Sequence, residues 1–132
     1  RQDPASEYSA VIPAFITAVQ ADRQPVIFGD GGQTRDFTFI QNVVQANLRA
    51  CTAQAKAFGR AVNIACGKRI SLNDLLARIA DIGGKQVRPE HQDPREGDIR
   101  HSLADIALAG ELLGYRPEVG MEQGLQETFR AY

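Results

Sequence analysis

Short apolar stretches alternate with polar turns along this chain, and the spacing of the apolar residues separates helices from strands. Ile12, Phe15, Ile16 and Val19 recur at i, i+3, i+4 and i+7, which predicts a helix opened by Val11-Ile12-Pro13. Pro13 suits the first helical turn, where a missing N–H costs nothing. Val26-Ile27-Phe28 and Phe37 to Ile40 read as strands, and the Gly29-Asp30-Gly31-Gly32 bend between them supplies the positive-φ residue of a hairpin. Strand alternation then puts Arg35, Phe37 and Phe39 on one side, a guanidinium beside two rings.

Further along, Ile40, Val43, Val44, Leu48 and Cys51 form the expected inner stripe of a second helix ending near residues 53–56. Ala61 to Cys66, with no charges, is expected as an interior strand. Gly67 breaks it, and Ser71-Leu72-Asn73-Asp74 reads as a capping box opening a helix with Leu72, Leu75, Leu76, Ile79 and Ile82 inward and Gly83-Gly84 as its left-handed stop. Residues 86–88 are a weak strand candidate. Ser102-Leu103-Ala104-Asp105 predicts another capped helix with Leu103, Ile106 and Leu113 inward and Gly114 as its stop; Met121, Leu125, Phe129 and Tyr132 mark a last one. The expected class is α/β: about five helices, a β-hairpin and short strands in one domain over residues 1–132. So small a sheet cannot cover all those helices, so something else normally does.

Fifteen basic and sixteen acidic residues nearly cancel, and no basic stripe points to nucleic acid. No apolar run approaches the ~20 residues of a membrane span and no signal-peptide pattern opens the chain, so a cytoplasmic location is expected. Cys51 and Cys66 match neither a redox nor a zinc spacing and read as buried free thiols. His91 and His101 have no ligands at metal spacing and read as surface or turn residues. The first residue is Arg1, not Met, which fits a piece of a longer protein.

Two stretches carry candidate chemistry. Arg35 needs an anionic partner, and its planar fork suits an internal carboxylate or a ligand phosphate. In Pro94-Arg95-Glu96-Gly97-Asp98, Gly97 permits a left-handed turn that aims Arg95 and Asp98 to one side. They could form a local ion pair on a solvated turn, or together read a phosphate and sugar hydroxyls. The glycine bend at 29–32 lacks the spacing of a Rossmann or P-loop signature.

Taken in order, Arg1-Gln2-Asp3-Pro4, Tyr8 to Pro13, Gly29-Asp30-Gly31 with Thr34-Arg35-Asp36-Phe37, Arg95 to Asp98 with Arg100-His101-Ser102, and Leu113-Gly114-Tyr115-Arg116-Pro117 resemble the C-terminal part of nucleotide-sugar epimerases of the extended short-chain dehydrogenase/reductase family. The opening looks most like 4-epimerases acting on UDP-N-acetylglucosamine or UDP-glucose. The resemblance implies that Arg35 and Arg95 hold the diphosphate, Asp98 the ribose hydroxyls, and that Val11, Phe28 and Leu72 border uracil and ribose. It also implies a partner N-terminal Rossmann domain carrying NAD. There the sugar C4 gives up a hydride, the 4-keto intermediate rotates, and the hydride returns to the other face. A 4,6-dehydratase or decarboxylase of the same family, or a noncatalytic binding or assembly module, would share this anchor.

Similar proteins usually carry an Asp-Asp pair where this chain has Gln41-Asn42. None of Tyr8, Tyr115 and Tyr132 has a lysine three or four residues downstream, and no G-x-G-x-x-G occurs. The chain is therefore expected to hold no catalytic residue, cofactor site or metal, to be inactive alone, and to self-associate through the face its partner domain would cover.

Overall fold

A computed structural model describes residues 10–132 of the chain; the expectations that rest on residues 1–9, including Tyr8, lie outside them. The 3.6-residue periodicity is realised in α1 (Val11–Gln20), α3 (Leu72–Ile82) and α5 (Met121–Ala131), whose apolar stripes converge. Phe15, Ile16, Val19, Ile27, Leu75, Leu76, Ile79 and Leu125 make the main core, and Phe37, Leu72, Ile82 and Phe129 pack around it. Helix α1 lies on α3, and α3 on α5. A smaller cluster joins Ala46 of α2 (Ile40–Cys51), Ala109 of α4 (Ala107–Leu113) and Tyr115, whose buried hydroxyl donates to Ala65 O at 2.8 Å.

The capping box at 71–74 forms as read: Ser71 Oγ accepts from Asp74 N at 3.0 Å and donates to Asp74 Oδ2 at 2.7 Å. Gly84 (φ 63°) and Gly114 (φ 61°) are the left-handed residues after α3 and α4.

The hairpin does not form. Strand β1 (Val26–Phe28) pairs in parallel with β4 (Glu90–Gln92), and β2 (Thr34–Arg35) pairs antiparallel with β3 (Ile70–Ser71). The reason lies in the bend. Gln33 O and Gly31 O accept from Leu72 N and Asn73 N, the otherwise unpaired amides at the start of α3, which draws residues 31–33 away from β1. Residues 37–39 are irregular, with Phe37 packed on the main core. Phe39 lies against Gly124 of α5, where an added Cβ would come within 3.0 Å of Phe39 Cβ. The strand foreseen at 86–88 forms instead beyond Pro89, which has no N–H for a ladder, with Glu90 N donating to Pro25 O.

Helix α2 is rotated from its expected orientation. Ile40, Val44 and Leu48 are 65%, 49% and 58% exposed, Cys51 is exposed with them, and the inward side chains are Asn42 and Ala46. Asn42 sets this rotation: its Oδ1 accepts from Glu118 N and Val119 N, both at 3.0 Å, and its Nδ2 donates to Val119 O at 2.9 Å. The helix ends at Cys51, ahead of a 3₁₀ turn at Ala55–Ala57.

Val62 and Ile64 turn toward the small cluster and Ala61 and Asn63 are exposed, yet residues 61–65 belong to no strand and the chain bends at Ala65. The period of two is present; a partner ladder, which a strand requires, is not among the described residues. Ser102 is likewise no cap. Its N donates to Thr34 O, and α4 starts at Ala107, whose N bonds Asp105 Oδ1 at 2.8 Å, leaving Leu103 exposed. Cys66 is half-buried; both cysteines are free, and neither is fully buried as a core thiol would be. No helix among the described residues is long and apolar enough to cross a membrane.

Candidate functional site

Two segments distant in sequence are zipped together. Just beyond β1, Gly29 N donates to Gln92 O of β4 at 2.8 Å, and His91 Nδ1 of β4 donates to Gly29 O at 2.8 Å. The chain then turns at Pro94 to Asp98: Asp98 N bonds Arg95 O at 3.2 Å, and Gly97 takes φ 77°, the left-handed value its position demanded. It returns beside β2, where Thr34 N bonds Arg100 O at 2.9 Å, Ser102 N bonds Thr34 O at 3.1 Å, and Thr34 Oγ1 lies 2.9 Å from His101 Nδ1. Phe28 and Arg35 thus stand on one segment, Arg95 and Asp98 on the other.

The side chains meet across this seam. The Arg95 guanidinium carbon lies 4.0 Å from the Phe28 ring centroid, a cation–π distance. Arg35 Nη2 bonds Asp98 Oδ1 at 2.5 Å while Nη1 donates to Thr34 O at 2.8 Å. Asp98 therefore pairs with Arg35, not with its sequence neighbour Arg95. The ring next to a guanidinium is Phe28 under Arg95, in place of the expected Phe37 and Phe39 beside Arg35. Val11 and Leu72, at the N-terminal ends of α1 and α3, pack on the rim of the main core; Leu72 joins the seam through Gln33, whose O accepts from Leu72 N and whose Nε2 donates to Phe28 O at 2.7 Å. Phe28, His91, Gln92 and Asp93 border a shallow hollow of about 580 Å³.

Several residues of the site were not singled out by sequence. Asp30 receives both arms of Arg100, at 2.6 and 2.8 Å, and its Oδ1 also accepts from Gly32 N. These bonds, the Arg100 pair first, hold the Asp30 carboxyl far below the usual carboxylate range and push the Arg100 guanidinium up. Asp36 accepts from Cys66 N at 3.1 Å and Gly67 N at 2.9 Å, fixing the loop after residue 65. Burial, then the nearby Asp36 charge, pushes the Cys66 thiol up.

A separate apolar cavity of about 260 Å³ lies among Phe37, Phe39, Ile40, Cys66, Met121 and Leu125. It touches none of Arg35, Arg95 and Asp98. The described residues gather no group of three or more His, Cys, Asp or Glu side chains fit to hold a metal ion.

Residues 1–65 match the NAD dependent epimerase/dehydratase family. A UDP-glucose 4-epimerase of Mycolicibacterium smegmatis is 38% identical over 128 residues, 97% of this chain and 40% of that protein. The crystal structure of the UDP-glucose 4-epimerase of Thermotoga maritima with UDP-glucose superposes with a TM-score of 0.90 at 35% identity, over 98% of this chain and 41% of that one. The UDP-N-acetylglucosamine 4-epimerase of Methanobrevibacter ruminantium M1, in complex with UDP-N-acetylmuramic acid, gives a TM-score of 0.90 at 37% identity, over 98% of this chain and 41% of that one. The chain thus spans about two fifths of the length of these proteins.

Proposed function

The chain belongs to the NAD dependent epimerase/dehydratase family, and from that premise we propose that it is the nucleotide-sugar-binding domain of an NAD-dependent UDP-sugar 4-epimerase. Arg35 and Arg95 grip the diphosphate, Asp98 accepts from the ribose hydroxyls, and Val11, Phe28 and Leu72 border uracil and ribose. The observation that carries this reading is the gathering of Phe28, Arg35, Arg95 and Asp98 along one seam from two distant segments.

Planar guanidinium forks suit phosphate oxygens, and a carboxylate suits hydroxyl donors. Inverting a sugar carbon requires the ring to present both faces in turn. A grip on the diphosphate, away from the reacting carbon, lets the sugar rotate while the nucleotide stays in place. NAD supplies the hydride acceptor and donor in the complete enzyme. Among the described residues the glycine bend leads from β1 into β2, so it offers no helix N-terminus for a pyrophosphate.

The outward stripe of Ile40, Val44 and Leu48 supports a second domain covering this face. Left uncovered, the stripe drives self-association. Calorimetric titration of UDP into the chain tests the reading: saturable one-to-one binding supports it, and no heat at millimolar UDP contradicts it.

A further inference from the structure

The glycine bend is held from several directions. On one side Asn73 of α3 donates through Nδ2 to Asp30 O at 2.9 Å and through its backbone N to Gly31 O at 3.1 Å. A Cβ on Gly31 would fall 2.1 Å from Asn73 Oδ1, so the bend and the helix start are in direct contact. On the other side Arg100 clasps Asp30 with both arms although the pair is open to solvent, the side chains being 57% and 64% exposed. A Cβ on Gly32 would lie 2.8 Å from Arg100 Nη2 and 3.2 Å from Asp30 Oδ1, so the missing side chain at 32 leaves room for the clasp.

We infer that the Asp30–Arg100 pair is a positioning device that sets the spacing between the segment bearing Phe28 and Arg35 and the segment bearing Arg95 and Asp98, without itself touching the nucleotide. The inference rests on the nucleotide-binding reading and adds to it a pair that acts through its neighbours. Arg100 lies two residues beyond Asp98 and binds Thr34 N through its own carbonyl, next to Arg35. Asp30 lies two residues beyond Phe28. A bidentate fork fixes both distance and angle between the groups it joins. Both arms of Arg100 are taken up by Asp30, which keeps this guanidinium on the glycine bend.

The test is UDP calorimetry on the whole chain carrying Asp30→Asn, Arg100→Gln or Gly32→Ala, each with a melting curve. If Arg100 acted as a general source of positive charge, Asp30→Asn would tighten UDP by removing a nearby negative charge, and Gly32→Ala, which alters no charge, would leave affinity alone. The positioning role gives the opposite result. All three weaken UDP by roughly fivefold or more, because displaced binding groups lose their geometry, while melting temperatures stay near that of the native sequence. Arg100→Lys keeps the charge, loses the fork and falls between native sequence and Arg100→Gln; as the mildest change it keeps the test readable should another variant lose its fold. Unchanged or tighter UDP binding in Asp30→Asn overturns the inference and leaves the nucleotide reading standing. No UDP binding by the native sequence overturns the reading and the inference together.

Discussion

Arg35 and Asp98, 63 residues apart in the chain, are joined Nη2 to Oδ1 across the seam between strand β2 and the turn at residues 94–98. Asp98 thereby orients the guanidinium that the proposed function assigns to the diphosphate. Among the described residues Arg95 has no such carboxylate tether; it stacks on Phe28.

The two residues should therefore respond differently to substitution. Arg95→Ala removes a charged fork, and charge-assisted bonds contribute ~1.5–3 kcal/mol against ~0.5–1.5 for neutral ones. Asp98→Asn keeps an acceptor for the ribose and for Arg35. UDP calorimetry should show Arg95→Ala losing about tenfold or more, and Asp98→Asn distinctly less. The reverse order would place the binding energy on the carboxylate and remove Arg95 from the grip.

Asn42 is expected to be a stability residue. It is 1% exposed and satisfies two backbone N–H groups and one carbonyl at 118–119. Asn42→Ala strands these groups and should cost ~1–3 kcal/mol in urea unfolding. Asn42→Asp keeps the acceptor but sets a buried carboxylate oxygen against Val119 O, where the native amide donates, and should cost at least as much as Asn42→Ala. An Asn42→Ala change below about 0.5 kcal/mol, the level of an ordinary surface substitution, would mean that this network does not hold α2.

The exposed face of α2 gives a prediction about association. Leu48→Lys replaces an exposed apolar side chain, so unfolding free energy should move by no more than about 0.5 kcal/mol, while sedimentation velocity should show less self-association than the native sequence. Cys51, on the same face, should be alkylated before Cys66, whose thiol is half-buried and pushed up in pKa. Intact-mass spectrometry follows both. A native chain that stays monomeric at high concentration would mean that this stripe needs no cover.

What was legible in the sequence was what local chemistry decides. Helices α1, α3 and α5 follow from apolar spacing, and Ser71 with Asp74 caps α3 because the cap closes within one turn. The rotation of α2 was not legible, because its apolar stripe is a genuine helical stripe and only the bonding of Asn42 to Val119, 77 residues away, turns that stripe outward. The expected hairpin is absent for a related reason: strands of two and three residues take whichever edge the rest of the fold offers, and the amides of Leu72 and Asn73 claim the carbonyls of the bend. Arg35 and Arg95 stood out by residue type and motif. Their pairing did not, since nothing near Arg95 indicates that Asp98 reaches for Arg35, and nothing near Arg100 that it reaches Asp30, 70 residues back.

The most direct measurement of the central claim compares Arg35→Lys and Arg35→Ala with the native sequence, reading UDP affinity by calorimetry and stability by thermal melting. Arg35 has a carboxylate partner within the chain, so a ligand-binding role and an internal ion pair make different predictions. Lysine keeps the charge and loses the planar fork. The account predicts that Arg35→Ala weakens UDP about tenfold or more, and that Arg35→Lys loses a large share of the same affinity while circular dichroism shows the fold intact. If both substitutions leave UDP affinity unchanged and only lower the melting temperature, Arg35 is a structural ion-pair residue and the proposed grip on the diphosphate is wrong.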